Sequence, residues 1–404
     1  MKIPHDKFCV LPWISLEASP AGTVRPCCLA EEEIVNNLGR KFELVDCCFD
    51  DIQTSDYMNN LRQQFLDGKQ PATCKKCWQE EAAGRTSKRM HTLDRLKHVD
   101  IDQEWTTEPK QLKFLDLKLG NICNLKCRIC GSWSSSTFAA EELKFIKDET
   151  KIKNSYHYEM MRKGAWPRIN SQFWEEIERA ADGIEYIEFT GGEPFMIEQH
   201  FDLLESLVAR GLAAGIEIHY NTNGTHYPEH AVNIWKHFKT VEIAFSIDDV
   251  GKRFEYQRSG AEWDQVQQNI KKFQDLRQHY TNIRLQVCAT INVFNILYLE
   301  ELSQWIDRQN FNFVYWNMLH QAEYLSISTM PAKVKQEAAA RLANASVAEK
   351  TKQEFRNAIQ FMMNQSNGDG ILLEEKIREL DHRRGQDLGD FLPELAQLLD
   401  YKKK

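Results

Sequence analysis

Six short apolar runs, separated by amphipathic segments between about residues 112 and 320, constrain the fold of this chain more than any other feature. They are LKFLDLKL, IEYIEFT, IEIHYNT, VEIAFSID, IRLQVCATINV and FVYWNML. Strand-like runs alternating with helical patterns mark an α/β fold with a parallel sheet. The intervening segments carry their apolar residues at helical spacing: Phe201, Leu204, Leu207 and Val208 in one, and Trp263, Val266, Ile270 and Phe273 in another. Such spacing puts an apolar stripe on one face of a helix. The expected core is therefore a curved six-strand sheet wrapped by helices.

Several strands also carry polar residues at period two: Glu188 and Thr190, His219 and Asn221, Ser246 and Asp248, and Gln286, Thr290 and Asn292. Alternate residues of a strand share one face, so helices outside such a sheet leave the polar face lining a wet or ligand-filled interior. An exposed edge or face is the competing explanation for any one pair. Residues 131 to 180 are too long for a simple crossover and rich in Lys and Glu, so a helical insertion is expected there. Beyond about residue 325 the chain turns to helix formers, with Pro331 near the start of a long run and NGDG after its end, as helix boundaries require. Four regions result: residues 1–85, a linker helix at 86–110, the sheet region at 111–325 and a helical cap at 326–404.

Directly after the first strand, LGNICNLKCRICGSW places Cys123, Cys127 and Cys130 on one loop. Three thiolates can hold three irons of a four-iron four-sulfur cluster and leave the fourth iron open to a ligand that reacts. A structural zinc site needs four protein ligands, and no nearby His or Cys supplies the fourth. The second strand ends in TGGEP: Gly191 and Gly192 permit close backbone approach to a ligand, and the Glu193 carboxylate ahead of Pro194 can accept hydrogen bonds from an ammonium group. As a bare tetrapeptide it is only a turn. Further along come Asn223 in TNG, Ser246 and Asp248 in SID, Arg258 in QRSG, and Asn292 and Asn295 in INVFN. Ordinary strand-end turn chemistry is the alternative for the two asparagines.

Taken together, C-x3-C-x2-C, GGEP, TNG and SID in this order resemble the radical S-adenosylmethionine enzymes. That resemblance implies a partial (β/α)6 barrel. It implies that the open iron chelates S-adenosylmethionine, that Glu193 and the glycines hold the methionyl amine, and that Ser246 and Asp248 reach the ribose or carboxylate. Arg258 would pair the carboxylate, with Asn223 and Asn292 near the cofactor. It also implies a low-potential electron donor, flavodoxin- or ferredoxin-like. One residue departs from the family pattern: Ile129 stands before the third cysteine, where an aromatic is usual.

Five more cysteines lie near the N-terminus: Cys9, Cys27, Cys28, Cys74 and Cys77. Alternating apolar residues around ASPAGT read as a hairpin that presents Cys27 at its end. The pattern resembles the twitch or SPASM-type module that binds an auxiliary iron-sulfur cluster, here placed ahead of the barrel. A closed cluster needs four ligands, and Cys9, Cys27, Cys74 and Cys77 are the expected set, with Cys28 as the substitute. Zinc competes for this site, since C-x2-C plus two distant thiolates also suits that metal. Cys47 and Cys48 read as incidental thiols. Cys288, with polar Gln286 and Thr290 as period-two neighbours, is a candidate hydrogen donor if it faces the interior, and a buried structural cysteine otherwise.

With 404 residues and 42% hydrophobic content, the chain is long enough for two or three domains. No apolar run is long enough to span a membrane. MKIPHDKFCVLPW lacks the parts of a secretory signal, so a cytoplasmic protein with free thiols is expected. A formal net charge of −8 argues against broad nucleic-acid binding. The stretch Arg85 to Lys97 keeps nucleic acid open as a partner through a local basic patch, or is the solvated face of a connecting helix. His219, Gln286, Tyr315, Asn317 and His320 suggest a hydrogen-bonding substrate, for which a peptide, a sugar and a nucleotide all qualify. A zinc-stabilised ligand-binding protein without catalysis is the rival from another class.

Overall fold

Period-two alternation produces strands where the sequence marks them. The computed structural model describes residues 2–82, 86–97, 104–319, 322–365 and 368–402. Among the described residues eight strands form one sheet: β1 Ser15–Ala18, β2 Val24–Arg25, β3 Phe114–Lys118, β4 Tyr186–Thr190, β5 Glu217–Thr222, β6 Thr240–Phe245, β7 Ile283–Ile291 and β8 Phe313–Met318. Their order is β2-β1-β3-β4-β5-β6-β7-β8. The pairs β3–β4, β4–β5 and β7–β8 are parallel, and helices lie between them in sequence. This is the partly open α/β sheet expected of a radical S-adenosylmethionine barrel.

The six expected strands are β3 to β8; the other two come from the expected hairpin. In it β1 pairs antiparallel with β2, Glu17 opposite Arg25 and Ala18 opposite Val24. Sequence patterning did not show where that hairpin goes. It extends the sheet, β1 running parallel to β3 from Ser15 opposite Phe114 to Ala18 opposite Leu117. Leu16 and Ala18 thereby share a buried face with Leu115 and Leu117.

The chain divides into two compact units. The first comprises Met1–Asn124, Ser132–Tyr220 and Pro228–Glu242. Its insertion is helical as expected, with helices Ser136–Lys144, Tyr156–Lys163 and Ser171–Arg179 among others. Near the chain start, Phe8, Trp13 and Phe65 form an aromatic cluster with Trp105. Buried Arg62 staples it, donating to the carbonyls of Pro12 at 3.0 Å and Gln53 at 2.7 Å. Burying one such apolar side chain contributes about 1.5–3 kcal/mol.

The second unit comprises Leu125–Gly131, Asn221–Tyr227 and Ile243–Lys404. Its helix Trp263–His279 buries the expected stripe of Trp263, Val266, Ile270 and Phe273. The long helical run after Pro331 is two helices, Ala332–Asn344 and Glu349–Met363. Extended Ala345 breaks it, and the Ser346 N–H bonds to Glu300 Oε1 at 2.9 Å. No helix among the described residues is long and apolar enough to cross a membrane.

The stretch Arg85 to Lys97 differs from both expectations for it. Arg85 lies outside the described residues, and Lys88–Arg95 is a helix whose cations turn inward. Lys88 pairs with Glu188, Arg89 with Glu81 and Arg95 with Glu217. The reason is charge compensation: each faces a carboxylate that would otherwise be partly buried alone.

Candidate functional site

Beyond the ends of β3 and β4 the two chains stay joined. Leu119 N–H bonds to Thr190 O at 2.9 Å, Gly192 N–H to Gly120 O at 3.0 Å and Glu193 N–H to Ile122 O at 2.8 Å. Gly191 takes φ 113°, and a Cβ on Gly192 would stand 2.2 Å from Ile122 O. The backbone these glycines admit is thus that of the segment leading to Cys123. Cys123 is buried, its N–H on Ser136 Oγ at 3.3 Å and its carbonyl accepting from the Thr137 hydroxyl at 2.5 Å. Glu193 is 1% exposed and accepts the Phe195 N–H at 3.3 Å, with Pro194 opening a short helical turn.

Cys127 and Cys130 belong to the second unit. There Lys126 N–H bonds to Ser259 O at 3.0 Å and Arg128 N–H to Gln257 O at 2.8 Å, laying the loop along residues 257–259. Arg258 sits between sulfur and carboxylate: Nη1 lies 3.9 Å from Cys127 Sγ and Nη2 2.7 Å from Asp248 Oδ2. Burial opposes its charge, but Asp248, Cys127 and Cys130 raise its pKa above the usual arginine value. Asp248 Oδ1 accepts the Thr290 N–H at 2.8 Å. Buried Arg258 Nε has no hydrogen-bond partner among the described residues.

Asn223 caps its own turn, Oδ1 accepting from Thr225 N–H at 2.9 Å and the Thr225 hydroxyl at 2.6 Å. The Ser246 N–H donates to Thr222 O at 2.8 Å. Asn292 and Asn295 tie the end of β7: Asn292 Oδ1 accepts from Phe294 N–H at 2.8 Å, and Asn295 Nδ2 donates to the carbonyls of Asp248 and Thr290, both at 2.8 Å. Cys288 lies half-buried on the same face of β7 as Gln286 and Thr290, opposite Tyr315 of β8. Tyr315 is exposed and Asn317 half-buried. His320 lies outside the described residues.

In the first unit, Cys9, Cys27, Cys74 and Cys77 line one pocket with Leu11, Phe65 and Lys88. Three of these sulfurs receive donors: the Leu11 N–H reaches Cys9, the Leu29 and Ala30 N–H groups reach Cys27, and the Arg89 N–H and Ser87 hydroxyl reach Cys77. Burial pushes the Cys27 thiol up to about 11 and Cys9 well above its usual value, the neighbouring sulfurs adding to the latter. Cys28 does not line this pocket; its electrostatic neighbours are Asp116, Lys88, Cys27 and Glu188. No group of three or more His, Cys, Asp or Glu among the described residues is spaced to hold a single metal ion. Thiolates that bind four separate irons stand farther apart than ligands of one ion.

Sequence reasoning missed two arrangements. Glu17, Asp116, Glu188 and His219 form one row across β1, β3, β4 and β5. A charged residue in the middle of LKFLDLKL was the available signal for Asp116. In the second unit, fully buried Arg128, between Cys127 and Cys130, pairs with Asp381 at 2.5 Å and lies 3.7 Å over the Tyr256 ring. Nothing local announces a partner 253 residues away.

The cysteine loop, β4 and the GGEP turn fall in one matched stretch. Residues 117–307 match the family model described as the Radical SAM superfamily. Domains of this superfamily bind S-adenosylmethionine and a four-iron four-sulfur cluster. Among solved structures the chain is similar to anSMEcpe with bound AdoMet, at 15% identity over 63% of each chain and a TM-score of 0.38. It is also similar to SuiB of Streptococcus suis bound to S-adenosylmethionine, at 14% identity over 79% of this chain and 61% of that one, with a TM-score of 0.36. TYW1 with a lysine-pyruvate adduct bound is similar at 12% identity over 58% of this chain and 72% of that one, with a TM-score of 0.31. The chain spans less than two thirds of anSMEcpe and SuiB, and scores this low say nothing of substrate. No curated protein matches the chain.

Proposed function

We propose that the chain is a radical enzyme in which Cys123, Cys127 and Cys130 hold three irons of a four-iron four-sulfur cluster and S-adenosylmethionine takes the fourth. The observation that carries this reading is the position of all three cysteines inside the matched stretch 117–307. The residues present suit the cofactor. Buried Arg258 Nε lacks a partner among the described residues, and a guanidinium in that state suits a carboxylate. Glu193 offers a buried acceptor for the methionyl amine, and Gly191, Gly192 and Pro194 hold that carboxylate in place. Asp248 keeps Arg258 charged and oriented. Asn223, Ser246 and Asn292 complete the proposed contacts. When bound, the cluster and S-adenosylmethionine together supply one-electron chemistry that ends in abstraction of a hydrogen atom from a substrate.

A second, auxiliary cluster is assigned to Cys9, Cys27, Cys74 and Cys77. Support comes from their shared pocket and from the N–H and O–H donors on three of the sulfurs, which tune cluster potential where a cluster is bound. Cys288 keeps its assignment as a candidate hydrogen donor, favoured by its half-buried place beside Gln286 and Thr290. The substrate is unidentified, and an electron donor of the flavodoxin or ferredoxin kind is required to reduce the cluster.

Anaerobic reconstitution, iron counting and a dithionite-dependent assay for 5'-deoxyadenosine test this reading. About eight irons per chain are expected, four in each cluster, together with 5'-deoxyadenosine. Full cofactor cleavage by the Cys123→Ala, Cys127→Ala or Cys130→Ala variant would falsify the catalytic assignment. Zinc in place of iron, without cleavage, would leave the ligand-binding alternative.

A further inference from the structure

The inner face of the first unit's sheet carries more charge than a packed core tolerates. Toward the strand starts that face is closed: Phe114 and Tyr186 stack at 4.6 Å, with Lys88 over Phe114 at 5.0 Å and Arg95 over Tyr186 at 4.0 Å. One residue pair farther along comes the row of Glu17, Asp116 and Glu188. Glu17 is fully buried and held by Arg25 through both oxygens, at 2.8 and 3.1 Å, and by Lys118. Glu188 has Lys88 at 3.5 Å.

Asp116, between them, is left short. It is 4% exposed; among the described residues its nearest cation is Lys118 at 3.9 Å, already on Glu17, and its Oδ2 has no hydrogen-bond partner. A buried acceptor without a donor is destabilising, and more so when it is charged. Burial, then repulsion from Glu188, raises its carboxyl to about 6 against the pull of Lys118 and Lys88, with Glu17 adding to the rise. The space beside it is not packed shut: the side chains of Glu188, Lys118 and Lys88 keep 19%, 21% and 22% of their surface exposed.

We propose that Asp116 anchors a substrate site on this face and that the group it takes is a protonated amine. An ammonium supplies a donor for Oδ2 and a cation in direct contact with Asp116, which Lys118 at 3.9 Å does not give it, whereas a hydroxyl supplies only the donor. The term substrate rests on the radical-enzyme reading; the amine site itself does not.

The test is saturation-transfer NMR on the anaerobically purified protein without S-adenosylmethionine, using n-butylamine, n-butanol and butyrate as probes. The butylamine response should exceed that of butanol and butyrate several-fold in the natural protein and fall at least fivefold in Asp116→Asn. An unchanged melting temperature, or a higher one, checks that this variant folds, since it replaces an unpaired buried charge with a neutral group of the same shape. Lys88→Met, which removes the competing cation from Glu188, should strengthen butylamine binding several-fold. Equal butylamine binding by the natural protein and Asp116→Asn overturns the proposal, as does preference for butanol, or a Lys88→Met variant that binds no better. Because S-adenosylmethionine is absent, failure of cofactor cleavage leaves the amine result standing, and failure of amine binding leaves cleavage untouched.

Discussion

Replacing Asp381 with alanine will strand the guanidinium of Arg128 inside the second unit. Asp381 accepts from Arg128 Nη2 at 2.5 Å, the Tyr256 hydroxyl at 3.0 Å, the Leu388 N–H at 2.8 Å and the Tyr401 hydroxyl at 3.1 Å. Removing one partner of a buried ion pair costs about 3–5 kcal/mol, because the remaining charge loses its compensation. Orphaning the Leu388 N–H adds about 1 kcal/mol. The expected loss is therefore about 5 kcal/mol, read as a lower urea midpoint with an unchanged slope. Since Arg128 stands between Cys127 and Cys130 and its N–H bonds to Gln257 O at 2.8 Å, reconstituted iron should fall in the same variant. Adding Arg128→Met to Asp381→Ala should restore about half of the lost stability, because the stranded charge is gone. A loss below about 1.5 kcal/mol, or a double variant no more stable than Asp381→Ala, would refute the reasoning, since both contradict the cost of an uncompensated buried charge.

Gly192→Ala sets a methyl group 2.2 Å from Ile122 O, so the cysteine loop must shift at a cost of about 1–3 kcal/mol, and reconstituted iron should drop while Gly215→Ala, in open space, serves as the silent control. The Cys74→Ala/Cys77→Ala variant should lose about four of its eight irons on the four-iron stoichiometry; retention of all eight counts against the auxiliary assignment. His200 is pressed down to about 3, first by burial, with its ring bonded to Ile197 O and to the Tyr220 hydroxyl at 3.1 Å. A histidine whose folded pKa is lowered binds its proton only on unfolding, so stability should fall as pH drops from about 6.5 toward 3, by about 1.4 kcal/mol per unit. Urea titrations of the natural protein and His200→Gln between pH 4.5 and 7 check this, and identical slopes exclude it.

Strands β3 to β8 were legible because their alternation is local and long enough to read, as in β5, where buried and half-buried residues alternate without exception. β1 and β2 as sheet members were not. SLEA alternates polar with apolar residues over four positions only, and Glu17 can be buried only because Arg25 and Lys118, 8 and 101 residues away, converge on it. Spacing picked out the N-terminal cysteines, but the choice between adjacent Cys27 and Cys28 turns on which sulfur faces the pocket. That is a matter of backbone path, not of composition. The single break in the C-terminal helical run was hidden for a similar reason: Ala345 is a good helix former, and the chain leaves the helix where Ser346 finds Glu300.

The parallel pairing of β1 with β3 makes the matched domain a poor unit to excise. A chain cut to begin at residue 111 would start on β3 with the hydrogen-bonding edge that β1 now covers laid open along four residue pairs. Phe114, Leu115 and Leu117 are buried there and Asp116 is the one ionisable residue among the four, so the bared edge would be largely apolar and open to pairing with strands of other molecules. The N-terminal segment is thus also the guard that keeps the sheet from polymerising, and shortened versions meant to isolate the barrel should aggregate unless residues 11–25 are retained.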